Sequence, residues 1–404
     1  MVIEHAVGFA FCVFVLVVLA SLVSEKFRLS ETLVLLVLGA VVGGIITSGL
    51  NLDTGIRSES FHDLVFFVFL PVLVFDASLK LPQQAVLKDG VLIGFLALAG
   101  VGITAVVAGY LIFIGVGHPS GFPFIAALLT GTLLAATDPV SVVSQLKSLG
   151  APERLRVLLE GESLFNDATA IALFSVLMVV ALDSQASVSG LDILGSLSVN
   201  FLGGAAIGIG VGLLGGVAFR HIDDQVIRAI AGLAVAYGSF IFAEEVIHVS
   251  GILAVTAAGM TIARIAGSQG DSFGAVWQSL TRLADGTIFL LMGLVVGWYM
   301  FEQRWLAMLI AIGAVTVTRL FVTVGGISFF NLFLARKLPL NYQTALVWGG
   351  LRGAVSLALA LSIPVDLPYW FTIQCMAFGV VLFTMLVQAP TLPPLLSRLG
   401  LVQR

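Results

Sequence analysis

The stretch EGESLFNDATAIALF, residues 160–174, places Glu160, Glu162 and Asp167 next to a run of apolar residues. A charged side chain at the depth of a lipid bilayer is costly unless a partner or an ion compensates it. On a helix, Ser163 lies on the same face as Asp167, four residues away. The stretch therefore predicts a membrane helix with functional charges, in which Glu160 sits on the first turn at the membrane surface.

The composition extends this interpretation to the whole chain. Hydrophobic residues make up 59% of the 404 residues and charged residues only 10%, and the mean hydropathy is +1.11. These values exclude an ordinary soluble domain, and the short alternating segments of an outer-membrane barrel are missing. We predict an all-α polytopic membrane protein with about 13 transmembrane helices, each with the ~20 residues that a crossing needs. The predicted spans are 7–23, 31–49, 61–79, 90–115, 121–143, 157–182, 190–219, 226–247, 250–266, 283–300, 304–335, 341–363 and 369–396.

The basic residues predict the orientation. Fifteen of the 19 Lys and Arg residues fall in loops after odd-numbered spans or at the C-terminus, and only Arg57 and Arg304 fall in the other loops. Because cytoplasmic loops carry the excess of Lys and Arg, the N-terminus is expected outside and the C-terminus in the cytoplasm. The expected location is the cell membrane, with lipid as the surrounding partner.

The loops between these spans are short and contain no nucleotide-binding motif. The two cysteines lie in separate apolar runs, and no spacing typical of a resident metal site is present. We therefore expect no cofactor, no enzymatic activity and no nucleic-acid partner, and a transport process driven by an ion gradient.

Two of the predicted spans are interrupted. In LLTGTLLAATDPVSVV, residues 128–143, Pro139 lacks the N–H group that a helix requires, and it disfavours helical geometry at Asp138. In LVWGGLRGAVSLALALSIP, residues 346–364, glycines surround Arg352. Paired interruptions in two halves of a membrane protein are typical of a transporter site built from inverted repeats.

The polar residues of the first interruption and of the opening stretch could form one ion site. Thr137, Asp138, Ser163 and Asp167 offer the oxygen atoms that Na⁺ or Li⁺ prefers, and we predict that they bind it. Glu162 would be intolerable without a partner at this depth, and Arg319 of the eleventh span is the obvious candidate.

A charge count points to exchange. Three carboxylates, Asp138, Glu162 and Asp167, face two guanidinium groups, Arg319 and Arg352, so one negative charge remains if all five converge. One Na⁺ or one H⁺ would neutralise it. A site that is neutral only when it holds either ion favours a 1:1 electroneutral exchanger.

At these residues the sequence resembles the monovalent cation/proton antiporter-1 family, which includes NhaP-type antiporters and sodium/hydrogen exchangers. The resemblance is carried by FFVFLPVLVFDASL (66–79), TDPVSVV (137–143), EGESLFNDATAI (160–171) and WGGLRGAVSLALAL (348–361), and it covers nearly the whole chain.

The resemblance implies an inverted-repeat antiporter fold in which two broken helices cross. It implies a core ion-transport domain, residues 81–183 and 303–404, and a dimerisation domain, residues 1–80 and 184–302. The core would move like an elevator against the other domain of a homodimer. The implied function is Na⁺ (or Li⁺) exchange for H⁺, with a role in pH homeostasis.

The resemblance also implies roles for single residues. Asp167 would bind cation and proton in turn, with Ser163, Asp138 and the carbonyl of Thr137 as further cation ligands. Asn166 before Asp167 is typical of electroneutral members.

Three further roles follow from the same resemblance. Glu162 and Arg319 would form a structural ion pair, and Arg352 would stabilise the helix crossing. Asp76 stands where the family usually has Glu, and it would contribute to the cation path.

Other functions remain open at this point. The same fold could prefer K⁺, since oxygen ligands alone do not set selectivity. An intramembrane aspartyl protease could use two membrane carboxylates, but its GxGD motif is missing, and a channel could use broken helices as a filter.

Overall fold

The computed structural model describes residues 3–27, 31–45, 58–116, 121–138, 140–182, 190–266 and 274–402. Helices dominate these ranges, and no strand occurs within them. In chain order the helices used below are α1 Ile3–Phe27, α2 Glu31–Gly44, α3 Phe61–Lys80, α4 Gly90–Gly115, α5 Phe124–Leu133, α6 Val140–Ser148, α7 Glu153–Leu182, α8 Gly190–Phe219, α9 Gln225–Ile247, α10 Gly251–Ile265, α11 Gly274–Val295, α12 Tyr299–Phe330, α13 Leu340–Gly349, α14 Ala354–Leu361 and α15 Trp370–Arg398.

The all-helical membrane architecture predicted from the sequence is confirmed. By length and apolar character, seven helices of the described chain qualify as membrane spans, or eight if α13 and α14 count as one bent span. Each predicted span overlaps a helix or a broken pair of helices, but the number thirteen stays a prediction.

The helices pack in two groups. Helices α1, α2 and α3 pack with α8–α11, and helices α4, α5 and α7 pack with α12–α15. The first group contains a close contact between α2 and α11, since a Cβ atom on Gly293 would lie 2.7 Å from the backbone nitrogen of Ala40. Glycine lets these helices approach until their backbones touch. Helix α14 reaches across to α3 and α11, so the two groups meet beside the broken helices.

Candidate functional site: a cavity at the crossing of two broken helices

The two interrupted segments meet and are joined by a backbone hydrogen bond. Helix α5 ends at Leu133, and the chain is not helical from Ala135 to Asp138. The segment between α13 and α14 is also non-helical, and the angle between the two helices is 41°. The amide of Asp138 donates to the carbonyl of Leu351 at 2.8 Å. Pro139, the residue predicted to break the helix, lies outside the described residues.

Arg352 binds the carbonyl groups that the broken helix α5 leaves without helical partners. Its Nη1 donates to the carbonyl of Ala135 at 3.0 Å and to that of Ala136 at 3.2 Å. Its own backbone is held by the hydroxyl of Thr384, which accepts from the amide of Arg352 at 3.2 Å. Buried backbone groups need such partners inside a membrane, so the guanidinium group takes the place of the missing helical N–H donors.

Gly353 allows the two segments to touch. A Cβ atom at this position would lie 2.5 Å from the Cβ of Asp138 and 2.8 Å from its Cγ. Those separations are shorter than any real contact, so a side chain at position 353 would displace Asp138.

Thr137 is tied to helix α7 by a buried network. The side chain Nδ2 of Asn166 donates to Thr137 Oγ1 at 2.7 Å, and Thr137 Oγ1 lies 2.6 Å from Ser163 Oγ. Because Asn166 supplies one proton to Thr137 Oγ1, the threonine hydroxyl can donate its own proton to Ser163. Asn166 thus fixes the unwound chain against the helix that carries Asp167.

Asp167 faces a cavity of about 70 Å³. Asp167 is only 8% exposed, and its Oδ1 has no hydrogen-bond partner among the described residues. The predicted ligands Thr137, Asp138 and Ser163 line the same cavity. A space of this size can hold a small ion with a few waters. The arrangement offers one carboxylate oxygen that a cation or a proton could take.

Glu162 and Arg319 form a bidentate ion pair beside this cavity. Arg319 Nη2 donates to Glu162 Oε2 at 2.9 Å, Nη1 donates to Oε1, and Nη2 also donates to the carbonyl of Leu346 at 3.1 Å. The side chain of Glu162 is 1% exposed. The two charges therefore compensate each other and connect helix α7 to α12 and α13.

Asp76 has other partners. Lys80 Nζ lies 2.6 Å from its Oδ2, and the indole nitrogen of Trp277 donates to its Oδ1 at 2.8 Å. Its helix α3 lines the cavity through Leu70, Leu73, Val74 and Ala77, and Asp76 is not among the lining residues found in the described chain.

The prediction for Glu160 was wrong. Helix α7 begins at Glu153, seven residues earlier, and Glu160 is a buried residue two turns inside the helix.

A further carboxylate, Asp285, was missed. It lies on α11 and lines the cavity together with Asp167 and Asp138. The signal was present, because Asp285 falls inside the predicted span 283–300, as Asp167 falls inside its own span.

Comparison with known proteins agrees with this architecture. The Na(+)/H(+) antiporter NhaH of Halobacillus dabanensis is 32% identical over 394 residues, which cover 96% of this chain and 95% of that protein. The Na(+)/H(+) antiporter NhaP of Pseudomonas aeruginosa is 33% identical over 365 residues, which cover 85% and 83%.

The fold is also that of a solved structure. The sodium proton antiporter MjNhaP1 of Methanocaldococcus jannaschii superposes with a TM-score of 0.79 at 20% identity, covering 99% of both chains. The model of the sodium/hydrogen exchanger transmembrane family matches residues 13–398. These relatives are transporters and not enzymes, in agreement with the prediction. The chain belongs to the sodium/hydrogen exchanger family of transmembrane proteins.

Proposed function

We propose that this protein is a secondary antiporter that exchanges Na⁺ (or Li⁺) for H⁺ across the cell membrane. The observation that carries the proposal is the buried, unpartnered Oδ1 of Asp167 in a cavity lined also by Thr137, Asp138 and Ser163, within the described chain. The names of the relatives, which are Na(+)/H(+) antiporters, support the same exchange.

The mechanism is competition for Asp167. Asp138 and Asp167 carry one negative charge more than Arg352 compensates, and such an excess is costly inside a membrane. The site is therefore stable when Asp167 holds a cation or a proton and unstable when it is empty. Ser163 Oγ, the Asp138 carboxylate and the carbonyl of Thr137 complete the cation's shell. Binding of one ion then releases the other, and the stoichiometry is one to one.

The two packing groups support a movement of one group of helices against the other. The core, residues 81–183 and 303–404, carries the cavity's mobile ligands and shifts like an elevator against the dimerisation domain, residues 1–80 and 184–302. Within the core, Arg352 and the Glu162–Arg319 pair hold the broken helices in one shape during the shift. The protein works as a homodimer, with its N-terminus outside and its C-terminus in the cytoplasm.

The test uses purified protein in proteoliposomes with an imposed pH gradient. Na⁺, Li⁺ and K⁺ are added in turn, so that the cation preference is measured directly. We expect Asp167→Asn to abolish exchange, because an amide can hold neither a proton nor a cation as the carboxylate does, and Asp167→Glu to retain part of it. The control Asp366→Asn makes the same chemical change on an exposed turn and leaves the rate unchanged. Exchange at the wild-type rate by Asp167→Asn would refute the proposal.

A further inference from the structure

Asp285 lies on the wall of the cavity that belongs to the first packing group. Helix α11 packs on α2 and α3, and it also touches α14 of the second group. Asp285 lines the cavity with Ile288 and Phe289, which follow about one turn later on the same helix. The side chain is partly exposed, and within the described chain it forms no hydrogen bond or ion pair. A carboxylate at this depth without a partner normally marks a functional site.

Two carboxylates near the cavity already have counter-charges. Glu162 is neutralised by Arg319, and Asp76 by Lys80 with an added hydrogen bond from Trp277. The carboxylates of Asp138 and Asp285 line the same cavity. Repulsion between two such groups is relieved when a cation lies between them.

A second observation is independent of Asp285 itself. Asp167 Oδ1 lies more than nine-tenths buried in the same cavity with no hydrogen-bond partner in the described chain. Unsatisfied oxygens on separate helices around one small cavity indicate a ligand that accepts several oxygen donors at once, which is how a desolvated monovalent cation is bound.

We propose that Asp285 is a cation-binding residue on the dimerisation-domain wall of the cavity, where it attracts Na⁺ and shares it with Asp138 before Asp167 takes it. This inference rests on the proposed antiport function and deepens it. It assigns to Asp285 the role that the sequence resemblance gave to Asp76, whose carboxylate is already paired with Lys80.

The placement gives Asp285 a role distinct from that of Asp167. Asp167 lies on α7 in the core, whereas Asp285 lies on α11 in the opposite packing group. A cation held from both walls is bound only while the walls face each other. Asp285 therefore raises the affinity of the site in the facing state and does not travel with the cargo.

The test compares the Na⁺ concentration for half-maximal exchange (KM) and the maximal rate of wild type, Asp285→Asn and the control Asp366→Asn in proteoliposomes. Loss of one unit charge from the cavity wall should raise the KM for Na⁺ about tenfold or more. The maximal rate should stay within about twofold, since Asp167 is intact, and Asp366→Asn should match wild type. Calorimetric Na⁺ titration of the detergent-solubilised dimer should show the same loss of affinity.

Asp285→Glu keeps the charge, so it provides a second test of the proposal if Asp285→Asn does not fold. Its longer side chain moves the carboxylate within the cavity, so we expect a KM between those of wild type and Asp285→Asn and a changed ratio of Li⁺ to Na⁺ rates.

An unchanged KM in folded Asp285→Asn, or a lower maximal rate with an unchanged KM, would overturn the assignment. If Asp285→Asn does not fold, an Asp285→Glu variant with wild-type KM and ion preference would overturn it. Absence of exchange in wild type would instead refute the proposed function itself, so the two failures are distinguishable.

Discussion

Replacing Glu162 with glutamine should destabilise the protein strongly, because it removes one member of a buried ion pair. The side chains of Glu162 and Arg319 are 1% and 9% exposed, and two parallel hydrogen bonds join them. The neutral amide of the variant would leave the guanidinium of Arg319 charged in a low-dielectric site. Breaking a buried pair on one side costs about 3–5 kcal/mol, much of it the penalty of the remaining charge.

The chain offers a matched control for this change. Arg282 and Glu31 form an ion pair of similar length, 2.9 Å, with side chains that are 63% and 27% exposed. Exposed pairs contribute about 1 kcal/mol or less, so Glu31→Gln should cost little. The double variant Glu162→Gln, Arg319→Gln removes the orphan charge and should recover part of the lost stability.

The assay is equilibrium unfolding of the purified protein in mixed micelles, which gives the free energy of unfolding for each variant. We expect Glu162→Gln to lose several times more free energy than Glu31→Gln. If the two variants lose equal amounts, or if the double variant is less stable than Glu162→Gln, then the pair does not compensate the buried charge.

Two further changes test the crossing and the residue beside Asp167. Gly353→Ala places a Cβ 2.5 Å from the Cβ of Asp138, so exchange should be lost; a rate equal to that of Gly313→Ala, where an added Cβ meets no neighbouring atom within 4 Å, would contradict this. Asn166→Asp removes the Nδ2 donor to Thr137 and adds a carboxylate next to Asp167. The exchange rate of this variant should therefore depend on a clamped membrane potential where the wild-type rate does not, and equal behaviour of both proteins would refute the role assigned to Asn166.

The sequence predicted an ion site because polar residues interrupt apolar runs that are expected to lie inside the membrane, away from water. Thr137, Asp138, Ser163 and Asp167 stand out in this way, and the structure brings all four to one cavity. The spacing of Ser163 and Asp167 on one helical face was enough to place them on the same side.

The partners of Arg352 could not be identified in the same manner. Its Nη1 binds the carbonyl groups of Ala135 and Ala136, and a backbone carbonyl has no signature in the sequence. Only the three-dimensional contact between the two broken segments brings the guanidinium to them.

The sequence misplaces Glu160 because the beginning of an apolar run does not mark the beginning of the helix. The helix begins directly after Pro152, whose carbonyl accepts the first hydrogen bonds of the helix, from the amides of Leu155 and Arg156. The charged segment ERLR, residues 153–156, lies in the loop before the predicted span 157–182, yet it forms the first turn of the helix.

The effect of the cavity charge on the stoichiometry depends on which group of helices carries each charged residue. Once Glu162 and Arg319 cancel, the core contributes Asp138 and Asp167 against Arg352, and one Na⁺ or one H⁺ makes that set neutral. Asp285 lines the same cavity and was left out of the sequence-based count; when ionised, it adds one negative charge. If α11 stays still while the core moves, this charge never crosses the membrane field, and the exchange is electroneutral with either cargo.

If α11 moved with the core, the same net negative charge would accompany Na⁺ inward and H⁺ outward. The two half-reactions would then respond to the potential in opposite directions, and each could be limited in turn by the choice of pH and Na⁺ concentration. Pre-steady-state currents on a supported membrane would detect that charge, because they record movement within a single half-reaction even when the complete cycle carries no net charge.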